Sequence, residues 1–404
     1  MPNNLNRDVM CKTCFHVIGL TDSPTCCFPP EVYPVMARGR LFSGGKRHHE
    51  LVASLLPAGA RWIDITVPLD AVFEQYANEP EVVVFASGDP LFFGFAGTLR
   101  KRLPDAEIHV YPTFYSLQML AHRLLCPYQT MRTVSLTGRP WDELDAALIR
   151  GEALIGILTD QRKTPATIAQ RLLDYGYDNY QMAVGISLGN PVSEEVIRCT
   201  LAEAVTRSWR MPNCLILERT AVRSFPFGLP ESDFELLDGR VNMITKMPIR
   251  LLTLSLLDLA QRHSFWDIGF CTGSVSIEAK RQFPHLQVTA FELRPVGEQL
   301  MQINARRFGT PGIQVCMGDF LQADLSAYPK PDAVFIGGHG GALLALLERI
   351  VSVLQPGGVI VFNSVSSDSL ELFRTGIYQV GRQITREMHV AIDSFHPITI
   401  LQSL

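Results

Sequence analysis

The 404-residue chain has no basic surplus. Its 36 lysines and arginines face 40 aspartates and glutamates, for a net charge of −4. A protein that wraps nucleic acid through its phosphates needs the opposite balance. No 18 consecutive residues are all apolar, so no membrane-spanning helix is expected. The best candidate, residues 333–347, is broken by four glycines and His339. The first ten residues are polar and do not read as a secretory leader. No repeat of 20–50 residues is visible. Only one C-x-x-C occurs, Cys11 to Cys14, besides the adjacent Cys26 and Cys27. A zinc or redox site would want a second pair or histidines at metal spacing, so no metal is expected. The nine cysteines are odd in number and scattered, which fits reduced thiols in a cytoplasm.

What is present is a chain rich enough in apolar residues to fold: 47% hydrophobic and 19% charged. The length allows two or three domains. In the first half, Phe15–Leu20, Glu81–Ala86, Glu107–Tyr111, Leu154–Leu158 and Cys214–Glu218 read as short buried strands. Pro165–Tyr175 has helical spacing. Residues 223–240 carry prolines, glycines and few periodic apolar positions, and read as a linker. A leucine-rich helix follows over Ile249–Ala260, with Thr245 as its expected cap and Pro248 in its first turn. Strands at Phe265–Ile268, Val288–Phe291, Ile313–Cys316, Ala333–Ile336 and Val359–Asn363 then alternate with helices at Ser274–Arg281, Val296–Phe308 and Gly341–Leu354. That rhythm predicts an α/β domain with a parallel sheet covered on both faces.

The most informative stretch is Trp266-Asp267-Ile268-Gly269-Phe270-Cys271-Thr272-Gly273-Ser274. A strand, a glycine turn and a helix start bring free backbone N–H groups close to a ligand. Glu292 ends the next strand 19 residues after Gly273. An acid there bonds ribose hydroxyls in doubly wound folds. Gly318-Asp319 follows the third strand. Cys271 and Ser276 break the G-x-G-x-x-G of nicotinamide proteins, and the looser loop suits S-adenosylmethionine better.

With Met243-Ile244-Thr245-Lys246, Asn304–Gly309 and the Gly337-Gly338-His339-Gly340-Gly341 run, this half resembles the decarboxylating C15-methyltransferases of cobalamin synthesis. The resemblance implies a Rossmann-like class I fold. It implies S-adenosylmethionine contacts at Thr245, Gly269, Phe270, Cys271, Thr272, Gly273, Glu292, Asp319 and Phe320. His339 stands where a serine is common and becomes a candidate substrate contact.

The first half carries Gly44-Gly45-Lys46-Arg47-His48, Ser87-Gly88-Asp89-Pro90-Leu91-Phe92, Ser135–Pro140 and Leu158-Thr159-Asp160. In that order they resemble the two-lobed tetrapyrrole (class III) methylases, and within them the C5-methyltransferases. The resemblance places cofactor contacts at Leu20, Asp89, Phe92, Ser116 and Leu117. Pro112–Ser116 departs from the usual glycine-containing loop. Lys46, Arg47, His48 and Arg139 could meet the carboxylates of a corrinoid precursor. The two halves in this order resemble the fused C5,15-methyltransferases of that pathway, over nearly the whole chain.

The resemblance implies a tetrapyrrole methylase domain over 1–222, a linker over 223–240 and a methyltransferase domain over 241–404. It implies methylation at C5 and C15 with loss of the C12 acetate carboxyl as carbon dioxide, in a cytoplasmic homo-oligomer. No membrane or nucleic-acid partner is expected. Methyl transfer from a sulfonium needs alignment more than acid–base help. No Ser-His-Asp triad is visible, and no catalytic residue is assigned. The alternative reading is an RNA or other small-molecule methyltransferase with a degenerate first lobe.

Overall fold

The computed structural model describes residues 13–392 and 396–404. Cys11 of the C-x-x-C lies outside them. The chain divides into two compact units. The first comprises residues 13–138, 154–167 and 181–218 of the described chain, and the second 139–153, 168–180 and 219–404.

The first unit holds two five-stranded sheets. Strands β1 (Cys14–Leu20), β2 (Leu41–Gly44), β3 (Arg61–Asp64), β4 (Glu81–Ser87) and β5 (Glu107–Tyr111) stand in the order β3-β2-β4-β1-β5. These strands pair in parallel. β1 and β4 are apolar on both faces, as the sequence pattern requires. Phe15, Val17, Val82 and Val84 pack on one side, and Ile18, Leu20, Val83 and Phe85 on the other. The second sheet has β6 (Arg132–Ser135), β7 (Leu154–Leu158), β8 (Tyr180–Ile186), β9 (Glu195–Cys199) and β10 (Asn213–Arg219), ordered β6-β7-β10-β8-β9. It is mixed: β6 and β7 are parallel, while β7–β10 and β8–β9 are antiparallel.

The second unit is built on one seven-stranded sheet. Its strands are β11 (Ser264–Ile268), β12 (Gln287–Glu292), β13 (Ile313–Met317), β14 (Ala333–Ile336), β15 (Val359–Ser364), β16 (Ile384–Val390) and β17 (Ile398–Ser403). The order is β13-β12-β11-β14-β15-β17-β16. The first five are parallel, but β17 runs antiparallel to both β15 and β16. The all-parallel expectation is therefore corrected at one edge, where a hairpin replaces a crossover. Phe265, Val288, Phe335 and Val361 build the core on one face, and Trp266, Phe291, Ile336 and Phe362 on the other.

Two local expectations also change. Thr245 does not cap the leucine-rich helix. That helix spans Met247–Leu257 with Lys246 at its N-cap, and the Thr245 carbonyl accepts from Arg250 Nη1 at 2.8 Å. Residues 223–240, read as a linker, do not run free. Leu229 and Phe234 are buried with Ile244, Phe270, Met301 and Phe308. Arg223 donates to the Tyr175 and Arg307 carbonyls at 3.0 and 2.7 Å. The segment has apolar anchors without periodicity, because it packs as an irregular strap and not as a helix face.

Candidate cofactor and substrate sites

Strand β11 runs into a loop of unusual backbone. Gly269, Cys271 and Gly273 have φ of +78°, +51° and +75°. A Cβ on Gly269 would lie 2.8 Å from the Gly338 amide nitrogen. The loops after β11 and β14 thus meet backbone to backbone, at the position in the sheet where α/β proteins open a crevice. Cys271 takes the left-handed conformation with a side chain, at a cost of about 1–2 kcal/mol. The loop delivers Ser274 as the first residue of the helix Ser274–Gln282.

Glu292 closes β12 and is 3% exposed. Its Oε2 accepts the Cys271 N–H at 2.9 Å, and its Oε1 accepts the Arg294 N–H at 2.9 Å. A Cβ on Gly297 would sit 2.6 Å from Glu292 Cγ, so that glycine makes room for the acid. The carboxylate is therefore aimed by backbone on both sides. Phe320 is buried, edge-on to Phe291 at 5.0 Å. Asp319 caps its own turn through the Leu321 N–H at 2.9 Å.

These elements enclose a cavity of about 1000 Å³. Thr245, Gly269, Phe270, Cys271 and Thr272 border it on one side. Glu292, Asp319, Phe320 and His339 border it on the others. Gly273 shapes the turn without lining the cavity. His339 Nδ1 accepts the Gly341 N–H at 3.2 Å, which fixes the ring within its own loop.

Sequence reasoning passed over three cavity residues. Asp267 is fully buried; its Oδ2 accepts from Ser276 N–H at 3.1 Å and Ser276 Oγ at 2.6 Å. Its Oδ1 has no partner. Burial above all, with the charge of Glu292, pushes this carboxyl up to about 7. Asn363 ends the apolar run of β15 and bonds Thr253 Oγ1 through Nδ2 at 3.0 Å. Arg294 holds Glu292. For Asp267 and Asn363 the signal was present, a polar side chain near the carboxyl end of an otherwise apolar parallel strand, whereas Arg294 lies two residues past the end of β12.

In the first unit, three chain segments converge at the carboxyl end of β1. A Cβ on Gly19 would fall 2.1 Å from the Gly88 carbonyl oxygen and 2.9 Å from Thr113 N. The Gly88 N–H donates to the Leu20 carbonyl at 2.7 Å. Asp89 Oδ1 accepts the Leu91 N–H at 2.8 Å and sets the turn. Phe92 stacks on Tyr115 with centroids 3.8 Å apart. Ser116 begins the helix Ser116–Leu124, and Leu117 is buried with Leu120 and Ile216, so its side chain serves the core.

The basic cluster is less uniform than its sequence suggests. Arg47 pairs with Asp22 at 3.2 Å and donates to Ser87 Oγ at 3.1 Å. His48 accepts the Gly45 N–H at Nδ1 and contacts Ser87 Oγ through Nε2 at 2.8 Å. Burial, then the charge of Arg47, lowers His48 to about 4. At neutral pH it is an uncharged hydrogen-bonding group, not a cation for substrate carboxylates. Lys46 and Arg139 are exposed.

Among the described residues, no helix is long and apolar enough to cross a membrane. A family model described as a precorrin methyltransferase domain matches residues 237–402. Another, for tetrapyrrole (corrin/porphyrin) methylases, matches residues 48–205. A precorrin-6Y C(5,15)-methyltransferase (decarboxylating) from Sinorhizobium sp is 34% identical over 360 residues, 87% of this chain and 84% of that protein. The cobalt-precorrin-6B C(15)-methyltransferase (decarboxylating) of Salmonella typhi is 39% identical over 138 residues, 34% of this chain and 70% of its own. A crystal structure of precorrin-6y C5,15-methyltransferase from Geobacter metallireducens GS-15 covers 45% of this chain and 99% of its own, at 29% identity and a TM-score of 0.42.

Proposed function

The chain belongs to the family of decarboxylating precorrin-6Y C(5,15)-methyltransferases, and on that premise we propose how its two halves divide the chemistry. It is a methyltransferase of cobalamin biosynthesis, with a tetrapyrrole methylase fold followed by a Rossmann-like methyltransferase fold. We assign methylation at C5 to residues 1–222, and methylation at C15 with release of carbon dioxide to residues 241–404. Residues 223–240 connect them.

S-adenosylmethionine is the methyl donor in this reading, and it supplies an activated sulfonium methyl group. The observation that carries the assignment for the second half is the buried Glu292 beside the left-handed glycine loop, opening on the cavity. The size lies at the upper end of the range for small-molecule pockets. Glu292 accepts the ribose hydroxyls, and Phe320 offers an aromatic edge for the base. Backbone from Gly269 to Thr272 supplies N–H groups, and the unpartnered Oδ1 of Asp267 is one further acceptor. Thr245 and Asp319 close the rim. In the first half, Leu20, Asp89, Phe92, Ser116 and Leu117 surround the convergence at Gly19 and Gly88, where only glycine fits. Lys46 and Arg47 meet substrate carboxylates there, and Arg139 is assigned to substrate carboxylates by the family resemblance alone. His339 faces substrate in the second half.

Each site then needs only to hold a nucleophilic carbon in line with the methyl group. In the C15 site the carboxyl of the C12 acetate leaves as carbon dioxide, and the electron pair of the broken C–C bond passes into the macrocycle.

Calorimetry of the full chain with S-adenosylhomocysteine should show two sites. Mass spectrometry of the products separates the halves. Asp89→Arg should leave a product heavier by one methyl and lighter by one carbon dioxide. Glu292→Ala should leave one methyl added and no carbon dioxide lost. If Asp89→Arg abolishes decarboxylation while binding in the second half is intact, the division is wrong.

A further inference from the structure

The first sheet gathers a second set of reactive side chains, at the end opposite the Gly88 turn. β1 and β5 are parallel, with Cys14 opposite Glu107 and His16 opposite His109. Alternation along each strand puts all four side chains on one face. A thiol, a carboxylate and an imidazole meet there: the ligand atoms of Cys14, Glu107 and His109 all lie within 4.8 Å of one another. Cys14 Sγ is 3.6 Å from His16 Nε2, and His109 Nε2 is 2.9 Å from Glu107 Oε1. The two imidazoles stack with centroids 5.0 Å apart.

We propose that Cys14, Glu107 and His109, with His16 as a fourth donor, form a binding site for a zinc-like divalent cation at the edge of the first sheet. The donor set of one sulfur, two imidazoles and one carboxylate is that of a borderline metal, not of calcium or magnesium. Zinc bonds of about 2.3 Å to sulfur and about 2.0 Å to nitrogen, at tetrahedral angles, separate those donors by about 3.5 Å. The Cys14–His16 contact already has that length. Among Cys14, Glu107 and His109 the wider edges, at most 4.8 Å, must close by roughly 1 Å, the 2.9 Å Glu107–His109 contact must open slightly, and the exposed side chains of these two residues turn to do so.

His16 is also oriented as a ligand needs to be. Its Nδ1 meets Tyr111 Oη at 3.1 Å, which leaves Nε2 directed at Cys14. A hydrogen bond at the far ring nitrogen fixes the tautomer of a metal-bound imidazole. Glu81 reaches the same Nε2 at 2.9 Å and adds a second carboxylate beside the site. Arg38 is the competing cation, 3.3 Å from His16 Nε2 and paired with Glu81 at 3.2 Å. Its side chain is 54% exposed and can swing into solvent.

The place in the fold makes this a structural site and not a catalytic one. Ligands of parallel sheets bind at the carboxyl ends of the strands, whereas Cys14 and Glu107 are the first residues of theirs. β5 is an edge strand of its sheet. A bound ion would clamp that edge to β1, the kind of protection exposed edges require. No spacing in the sequence announces the site, because residues 14 and 107 meet only through the parallel register.

The test uses the full chain, stripped with a chelator and titrated with Co²⁺ as a spectroscopic probe. One equivalent should produce a near-ultraviolet thiolate-to-cobalt band, and one equivalent of Zn²⁺ should remove it. Cys14→Ser should abolish the band, although eight other cysteines remain in the chain. His109→Gln, at an exposed position, should weaken Co²⁺ binding at least tenfold with an unchanged circular dichroism spectrum. It decides the matter even if Cys14→Ser folds poorly. No band in the wild-type chain, a band that survives Cys14→Ser, or unchanged affinity in His109→Gln would each overturn the proposal.

Discussion

Replacing Arg250 by methionine tests what holds the strap of residues 229–246 over the methyltransferase cavity. Arg250 and Glu278 are both 0% exposed, with Nη2 and Oε2 3.2 Å apart. The guanidinium also donates to the carbonyls of Thr245, at 2.8 Å, and Leu229, and it faces the Phe234 ring at 5.3 Å. Glu278 in turn accepts the Leu229 N–H at 2.9 Å. One ion pair therefore fastens both ends of the strap to two helices. A buried pair adds little net stability while intact, but removing one partner strands a charge at a cost of about 3–5 kcal/mol. That is a large share of the roughly 5–15 kcal/mol that a folded protein has in hand. Arg250→Met should lower the opening free energy by that amount, read from hydrogen exchange in peptides spanning β11 and β12. Cofactor affinity should fall as well, because Thr245 and Lys246 line the cavity. Glu278→Gln should behave alike. The double variant should be less destabilised than the sum of the two by about 1–3 kcal/mol, since no unpaired charge remains. Additive losses would refute the argument, for they would mean that the two side chains are not one unit.

Three further outcomes follow from the same cavity. Glu292→Gln should weaken S-adenosylhomocysteine binding in the second half tenfold or more, since charge-assisted bonds contribute about 1.5–3 kcal/mol each; affinity within twofold of wild type would show the acid pointing elsewhere. Cys271→Gly should raise stability slightly or leave it unchanged, because glycine accepts a φ of +51° without strain; a marked loss in thermal midpoint would mean that the thiol packs where strain is the smaller effect. Asp267 gives a pH signature. Its carboxyl is raised from 3.8 to about 7 in the folded chain, so its contribution is fully present below pH 3.8 and is lost as pH rises to about 7. The urea stability of wild type relative to Asp267→Asn should therefore decline between those values and stay level above them; a difference independent of pH would contradict the burial argument.

Much of this fold was legible because its strands are buried on both faces. Glu81–Ser87 and Ala333–Ile336 are continuous apolar runs, and periodicity finds those at once. Among the strands that escaped, β2, β8 and β17 are largely buried, while β9 and β16 are only partly so. β9 is Glu-Val-Ile-Arg-Cys and β16 is Ile-Thr-Arg-Glu-Met-His-Val, both at sheet edges where polar residues face solvent. A hairpin at the end of a parallel sheet has no helix between its strands, so an alternation argument could not place β16 and β17.

The site was legible in a different way. At Gly269 the sequence signals a backbone open to close approach, and a Cβ there would collide with Gly338; the tighter crowding at Gly19 was not read from the sequence. Charge was read less well than shape, because a sequence shows which residues carry charge and not which of them keep it. His48 sits in a run of four basic residues yet is held neutral by burial beside Arg47. Asp267 stands one residue before the best-read strand end, and nothing in the sequence tells that its Oδ1 is buried without a donor, the burial that pushes this carboxyl up to about 7. In both cases desolvation decides, and it depends on what the rest of the fold places overhead. A residue list can therefore nominate the groups around a cofactor, but their protonation at pH 7 is a property of the packed site.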